Sequence, residues 1–437
     1  MAQAPTAGEE VATLCSELIR FDTSNFGPDG AKGERDAAEY VAAKLDEVGI
    51  TGSLLESEPR RTSLVAEWAP DGCDTSLPPL MIHGHTDVVP AVASDWQVDP
   101  FAGEVVDGYV WGRGAIDMKD FDAIVLAVVR ERTRANRVPR RPIRLVFTAD
   151  EEAGGPKGSG WLAEHHPELI ADCTEAIGEV GGFSLTVNQR RLYLIQTAEK
   201  GLAWLNLIAS GTAGHGSMRN EDNAITNLAA AVTRVGEYRW PARIHPAQRA
   251  FLDAVENALG VEIGTDDAEQ TLTRRGSIAR MVGATMSNTA NPTMLKGGYK
   301  HNVIPGTATA GLDGRFLPGY EKEFYDTIAE LLGDKVRYET QISDVAVETS
   351  FDGDLANAIT ASLQHVDPDA IPVPFIMSAG TDAKAWSKLG IRCFGFAPLR
   401  LPPELDFVAL FHGMDERVPV DSLEFGCRVL DDFLDRA

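Results

Sequence analysis

Three apolar runs in this chain each break off into histidines or carboxylates, a pattern that restricts both the fold and the chemistry. Leu80-Met81-Ile82 leads into His83-Gly84-His85-Thr86-Asp87, and Ile143-Arg144-Leu145-Val146-Phe147 into Thr148-Ala149-Asp150-Glu151-Glu152. Ala176-Ile177-Gly178 ends at Glu179. Short apolar runs of this kind read as buried strands. In open α/β sheets, ligands gather at the carboxyl ends of strands. Three consecutive acids at a strand end raise each other's pKa unless a cation compensates. Trp111-Gly112-Arg113-Gly114-Ala115-Ile116-Asp117-Met118-Lys119 adds a glycine-rich turn that carries an acid. Phe411-His412-Gly413-Met414-Asp415-Glu416 adds a second imidazole.

His85, Asp117, Glu152, Glu179 and His412 form a nitrogen and oxygen ligand set without thiolates. Such a set suits zinc, with cobalt or manganese as substitutes. Five protein ligands are too many for one open catalytic zinc. They fit two divalent metal ions that share a bridging carboxylate, about 3.5–4 Å apart as in two-metal hydrolases. Asp87 stands two residues beyond His85, placed to accept the other imidazole N–H and fix the tautomer. Neighbouring side chains in extended chain point apart. Glu151 is therefore left off the metal that Glu152 binds, free to act as general base.

In combination these strings resemble the two-zinc exopeptidase and deacylase family, which includes aminoacylase-1, acetylornithine deacetylase, succinyl-diaminopimelate desuccinylase and glutamate carboxypeptidase. The similarity runs from about Val11 to about Phe433. Its motifs are His-Thr-Asp-Val-Val-Pro (85–90), Gly-Arg-Gly-Ala-x-Asp-Met-Lys (112–119), Asp-Glu-Glu (150–152) and Gly-Glu (178–179). They continue with Gly-His-Gly-Ser (214–217), Asn-Val-Ile-Pro-Gly (302–306), Gly-Thr-Asp-Ala (380–383) and His412. The resemblance implies that His85 and Glu179 hold one metal and Glu152 and His412 the other, with Asp117 bridging. It implies that His215 reaches the neighbouring subunit's site and stabilises the tetrahedral oxyanion. Asn302 and Arg315 match positions that hold the substrate's amide and carboxylate. Gly380 and Thr381 match a backbone-rich substrate loop, and His301 is a candidate substrate contact. His83, His165, His166, His245 and His365 receive no role. Arg219, Lys384 and Asp120 depart from residues common in the family, which bears on substrate preference rather than on chemistry.

Apolar residues recur at helical spacing from Val11 to Ile19, from Ala38 to Val48 and from Asp122 to Arg134. Helices that alternate with buried apolar strands indicate an α/β fold: a catalytic domain with a central mixed, mainly parallel sheet flanked by helices. At 437 residues the chain exceeds one simple core. The resemblance places an inserted, smaller α+β lid and dimerisation domain at 199–349, between catalytic segments 1–198 and 350–437. Strands are expected at Leu202 to Ile208 and Gly306 to Phe316, and helices at Asn223 to Val235 and Glu321 to Leu332. Tyr238 to Glu269 reads as an extra helical excursion within the lid.

With 40 basic and 65 acidic residues the formal charge is −25. That balance argues against nucleic acid or an anionic membrane surface as partner. Five scattered cysteines without a C-x-x-C pair point to the reducing cytosol. The sequence opens without a basic, then apolar, signal pattern. The longest apolar run, Ala123 to Val129, is too short to cross a bilayer. The expectation is a cytoplasmic protein acting on a small molecule, and the resemblance implies a homodimer joined through the lid. The resemblance implies hydrolysis of the amide bond of N-acyl amino acids or small peptides with a free carboxylate. A water bridging the metals, deprotonated by Glu151, attacks the carbonyl. The alternative is a dipeptidase or carboxypeptidase of the same family. Glu179 favours a deacylase, because the resemblance implies Asp there in the family's aminopeptidases and dipeptidases and Glu in its deacylases. A catalytically silent ligand-binding relative would have lost Glu151 or a ligand, and this chain has lost neither.

Overall fold

The computed structural model describes residues 4–27, 30–263 and 282–437. At its centre, strands Ile143–Thr148, Leu80–His85, Glu175–Gly178 and Arg392–Gly395 lie side by side in that order, all parallel. Arg61–Trp68 and Gly52–Glu58 extend the sheet antiparallel on one side. Arg190–Glu199 does so on the other, joined by Phe183–Val187, Val347–Glu348 and Ala370–Met377. The sheet is mixed, and its parallel pairing is concentrated in the central four strands.

Those central strands are almost wholly buried because helices cover both faces. Alternate residues point to opposite sides. Leu80, Ile82, Leu145 and Phe147 join one core with Val128, Phe121 and Leu430 from helices Lys119–Arg134 and Val420–Arg436. Met81 and Val146 join a second core with Leu162 and Trp386 from helices Ser159–His165 and Ala383–Lys388. Phe121 is fully buried beneath the sheet, where truncation to alanine costs about 3–5 kcal/mol. Helix Ala7–Ile19 packs beside it, started by a reciprocal capping box between Thr6 and Glu9.

A second, four-stranded antiparallel sheet has the order Thr289–Gly297, Thr307–Phe316, Gly201–Ser210, Val336–Asp344. Helices Ala224–Glu237 and Glu321–Leu332 cover one face around Leu205, Leu207, Leu228, Leu312, Phe324 and Ile328. Asn223 caps the first helix by accepting the N–H of Ile225. The opposite face carries half-exposed residues such as Trp204 and Ile342.

The expected excursion within the lid requires correction. It is helical over Pro246–Leu259, but Phe251, Leu252 and Val255 bury themselves in the core of the larger sheet, against Ala370–Met377. Amphipathic spacing shows that a helix has a buried face, not which core receives it. The stretch from Tyr238 to Ile244 is irregular, and residues 264–269 lie outside the described residues. The chain thus runs to the small body after Glu199, returns before Pro246, goes back after Met286 and returns again after Asp344.

Candidate metal centre

Each ligand-type residue sits where a strand, helix or turn ends. His85 closes Leu80–His85, Glu179 follows Glu175–Gly178, and Asp117 precedes helix Lys119–Arg134. Glu151 and Glu152 form a single helical turn after Ile143–Thr148, and His412 follows the short helix Phe407–Leu410. The turn is entered through Asp150 with φ of 67°, a left-handed conformation that Asp tolerates better than most residues.

The side chains converge in two groups, His85–Asp117–Glu179 and Asp117–Glu152–His412, that share Asp117. His85 Nε2 lies 3.2 Å from Asp117 Oδ1 and 3.4 Å from Glu179 Oε2. His412 Nε2 lies 3.2 Å from Asp117 Oδ2 and 3.1 Å from Glu152 Oε2. One oxygen of Asp117 therefore faces each group. Glu151 Oε2 is 3.8 Å from His85 Nε2.

The electrostatics call for positive charge. Burial, reinforced by Glu179, pushes Glu151 well above the usual carboxylate range. Burial likewise lifts Glu179 to about 8 and raises Glu152. Against burial, hydrogen bonds with His412 and His85 hold Asp117 low. Hydrogen bonds to Asp117 and Glu152 lift His412 to about 10. His85 is raised despite its burial, first by the charge of Glu179. Glu179 Oε1 is buried without a hydrogen-bond partner. Crowded acids, two imidazoles and an orphaned oxygen fit a pair of divalent cations, which would replace the protons.

Asp87 is buried beside His85, but its carboxylate has another use. His85 Nδ1 lies 2.9 Å from the Asp87 carbonyl oxygen and 3.6 Å from its carboxylate. The carboxylate accepts the N–H groups of Glu151 and Glu152 at 3.1 and 3.2 Å, and Asn25 Nδ2 at 2.8 Å. Asp87 thus orients the imidazole through its backbone and the acidic turn through its side chain. His83, without a role, packs its ring over Gly178, where a Cβ would come within 2.2 Å. Burial drops its pKa to about 3.

The remaining candidates lie elsewhere. His215 is exposed on the two-residue strand Gly214–His215, paired with Val303–Ile304, and its Nδ1 is 2.8 Å from Ser217 Oγ. Gly216 N–H donates to the Asn302 carbonyl, so His215 and Asn302 share one exposed corner of the small body. Arg315 lies on the small sheet, its Nε 2.8 Å from Asp313. Among the described residues, none of these three hydrogen-bonds a member of the metal-ligand set.

Gly380 and Thr381 are packed toward the interior of the molecule. Thr381 donates both its N–H (3.1 Å) and its hydroxyl (2.5 Å) to Glu199. A Cβ on Gly380 would strike Lys384 Cε at 2.3 Å. Their fixed contacts therefore run to the junction between the two sheets, and Thr381 has no donor left for substrate.

The model of peptidase family M20/M25/M40 matches residues 81–436. This chain belongs to that family. M20 enzymes are metallohydrolases with dinuclear sites, and the two groups around Asp117 accord with that. N-fatty-acyl-amino acid synthase/hydrolase PM20D1 of Xenopus tropicalis is 29% identical over 93% of this chain and 81% of its own. Aminoacylase-1 of Mus musculus is 26% identical over 95% and 92%. An M20 metallo-carboxypeptidase from Sulfolobus solfataricus shares the fold, with a TM-score of 0.73 at 18% identity over 98% of this chain and 99% of that one.

This M20 site depends on residues that the motifs did not single out. Glu416 accepts Arg113 Nη1 at 2.5 Å and the N–H groups of Gly114 and Ile116 at 3.0 and 2.8 Å. Arg113 also donates to the Gly413 carbonyl at 2.9 Å. Arg61 bridges Glu34 and Asp150, and Asn25 links Asp150 to Asp87. Asp382 accepts hydroxyls from Thr148 and Ser159. Of these, Arg113, Thr148, Asp150, Asp382 and Glu416 lie inside the motif strings, and Asn25, Glu34, Arg61 and Ser159 outside them. Burial alone distinguishes them from solvated neighbours.

Proposed function

We propose that this M20 hydrolase cleaves the amide bond of N-acyl amino acids with a free carboxylate, using two zinc ions. His85 and Glu179 would hold one ion, Glu152 and His412 the other, with Asp117 common to both groups. The observation that carries the reading is Asp117, with one oxygen toward each group and Glu151 beside them. When bound, the ions bring the pKa of water near neutrality and polarise the amide carbonyl. Glu151 takes the proton of the attacking water and returns it to the leaving amine. Arg315 pairs with the substrate carboxylate, exchanging its bond to Asp313 for it. Asn302 holds the amide, and His215 donates to the carbonyl oxygen as negative charge develops.

His215 acts across a cytosolic homodimer. In support, Met294 and Leu295 are 73% and 70% exposed on Thr289–Gly297, an edge strand of the small sheet. An open edge of this kind is a template for pairing. The five free cysteines fit a reducing compartment. Among the described residues no helix is long and apolar enough to cross a membrane. Near full-length similarity to aminoacylase-1 and PM20D1 supports an N-acyl substrate.

The test is a panel of N-acetyl, N-succinyl and long-acyl amino acids, their carboxamides, and dipeptides, assayed with zinc-loaded protein. N-acyl amino acids should exceed both carboxamides and dipeptides in kcat/KM by about tenfold or more, or about 1.4 kcal/mol. Chelation should abolish turnover and zinc restore it. Preference for dipeptides would replace this reading with the peptidase one.

A further inference from the structure

The large and small sheets are joined by connections that converge on two buried lysines. The chain leaves the large sheet at Glu199–Gly201 and re-enters it at Asp344–Val347. Lys384, on helix Ala383–Lys388 of the larger body, donates to the carbonyls of Lys200 and Val345, each at 2.7 Å. One ammonium therefore holds both connections. It also lies 3.6 Å from the buried carboxylate of Glu199, whose oxygens receive Thr381. Lys200 takes the chain of contacts one step further. Its Nζ donates to the carbonyls of Ala284 and Ser287 at 3.0 and 2.8 Å and to Thr289 Oγ1 at 3.2 Å, securing a third crossing.

The same segment reaches the floor of the metal centre. Asp382, between Thr381 and Lys384, accepts the hydroxyl of Thr148, which ends the strand leading into Glu151 and Glu152. Gly380 leaves the space through which the Lys384 stem passes. Four consecutive residues and one lysine stem thus connect the strand before the acidic turn to the strand that follows Lys200. That strand pairs Leu202 with Arg315.

We propose that Lys384 is a positioning residue that sets the small sheet, and with it Arg315, over the metal pair. This rests on the reading of Arg315 as the substrate's carboxylate partner. Removing the charged donor leaves the buried Lys200 carbonyl unsatisfied and releases the part-buried Val345 carbonyl on the other connection. The small sheet then samples orientations in which Arg315 does not meet bound substrate. Apparent affinity falls with the fraction of competent molecules, while chemistry in the competent molecules is unchanged.

The experiment compares Lys384→Met, which keeps the stem and loses the donors, with Lys384→Arg, which restores donors. Each zinc-loaded variant is assayed with an N-acetyl amino acid and by amide hydrogen exchange. For Lys384→Met, exchange at 198–202 and 344–348 should quicken and KM rise by about tenfold or more. The kcat should stay within about twofold, with both metals retained. Lys384→Arg should recover much of the KM. Unchanged exchange and KM in folded Lys384→Met would overturn the proposal, as would a loss confined to kcat or metal content. If exchange quickens but neither Lys384→Met nor Arg315→Ala moves KM, the mechanical link stands and the reading of Arg315 falls. Should Lys384→Met not fold, Lys384→Gln is judged by the same criteria.

Discussion

Arg113 and Glu416, both buried and 2.5 Å apart, pin the turn that carries Asp117 to the loop that carries His412. Glu416 accepts two backbone N–H groups from the first, and Arg113 donates to carbonyls of the second. Burial lifts Glu416 to about 7, against the pull of Arg113. The pair fixes the spacing between the bridging carboxylate and the second imidazole. Glu416→Gln should therefore weaken one metal selectively, by about 10- to 100-fold. Equilibrium dialysis with metal analysis would show one site emptied before the other. Equal affinity at both sites would mean that the loops hold their spacing without the pair.

Glu151→Ala should keep both metals and lose about 10²- to 10⁴-fold in kcat. Metal should stay because Glu151 is absent from both ligand groups, so the loss would mark the proposed proton carrier. His85→Ala is the control that should lose metal. Matching metal loss in the two variants would make Glu151 a ligand.

Mixing His215→Ala with Glu151→Ala protein tests the shared site. In a mixed dimer one site carries both lesions and the other neither. After subunit exchange activity should return to about a quarter of wild type, since half the dimers are mixed and each has one intact site. Proven exchange without recovery would confine His215 to its own chain.

Away from the metals, Asp367 accepts Arg191 Nε and Nη2 at 2.6 and 2.5 Å and the Tyr193 hydroxyl at 2.8 Å. Although burial opposes it, these bonds hold its pKa below the ordinary value. In acid the unfolded chain then binds more protons, so the contribution to stability is full above the ordinary value of about 3.9. It is lost as pH falls through the lower folded value. The stability difference between wild type and Asp367→Asn should be constant near neutrality and shrink in acid. Urea titrations at several pH values would measure it, and a difference that grows in acid would contradict the argument.

Sequence alone revealed the ligand-type residues because each closes an apolar run or sits in a glycine-marked turn, where local pattern and position coincide. The parallel centre was legible for the same reason: Leu80–His85 and Ile143–Thr148 open on apolar residues and are buried on both faces because both are covered. Glu416 was not legible as a brace, since an acid in a loop after another acid looks solvated until Arg113 is brought across the molecule. The use of Gly380 was hidden likewise. It accommodates a side chain four residues away, and a family motif assigns it to substrate. Asp87 showed its neighbourhood but not its partners, because backbone and carboxylate divide the work between them.

The repeated passage of the chain between the two bodies also bears on how such a molecule can be taken apart. With helix Pro246–Leu259 anchored in the large core between two visits to the small sheet, no pair of cuts releases the small sheet as a cassette. Nicking at 199–201 and 344–347 would leave fragments threaded through one another. Exchange of small bodies between such enzymes therefore requires four junctions to be matched, whereas the turns around 212–222 and 298–302 can be altered without touching any of the four.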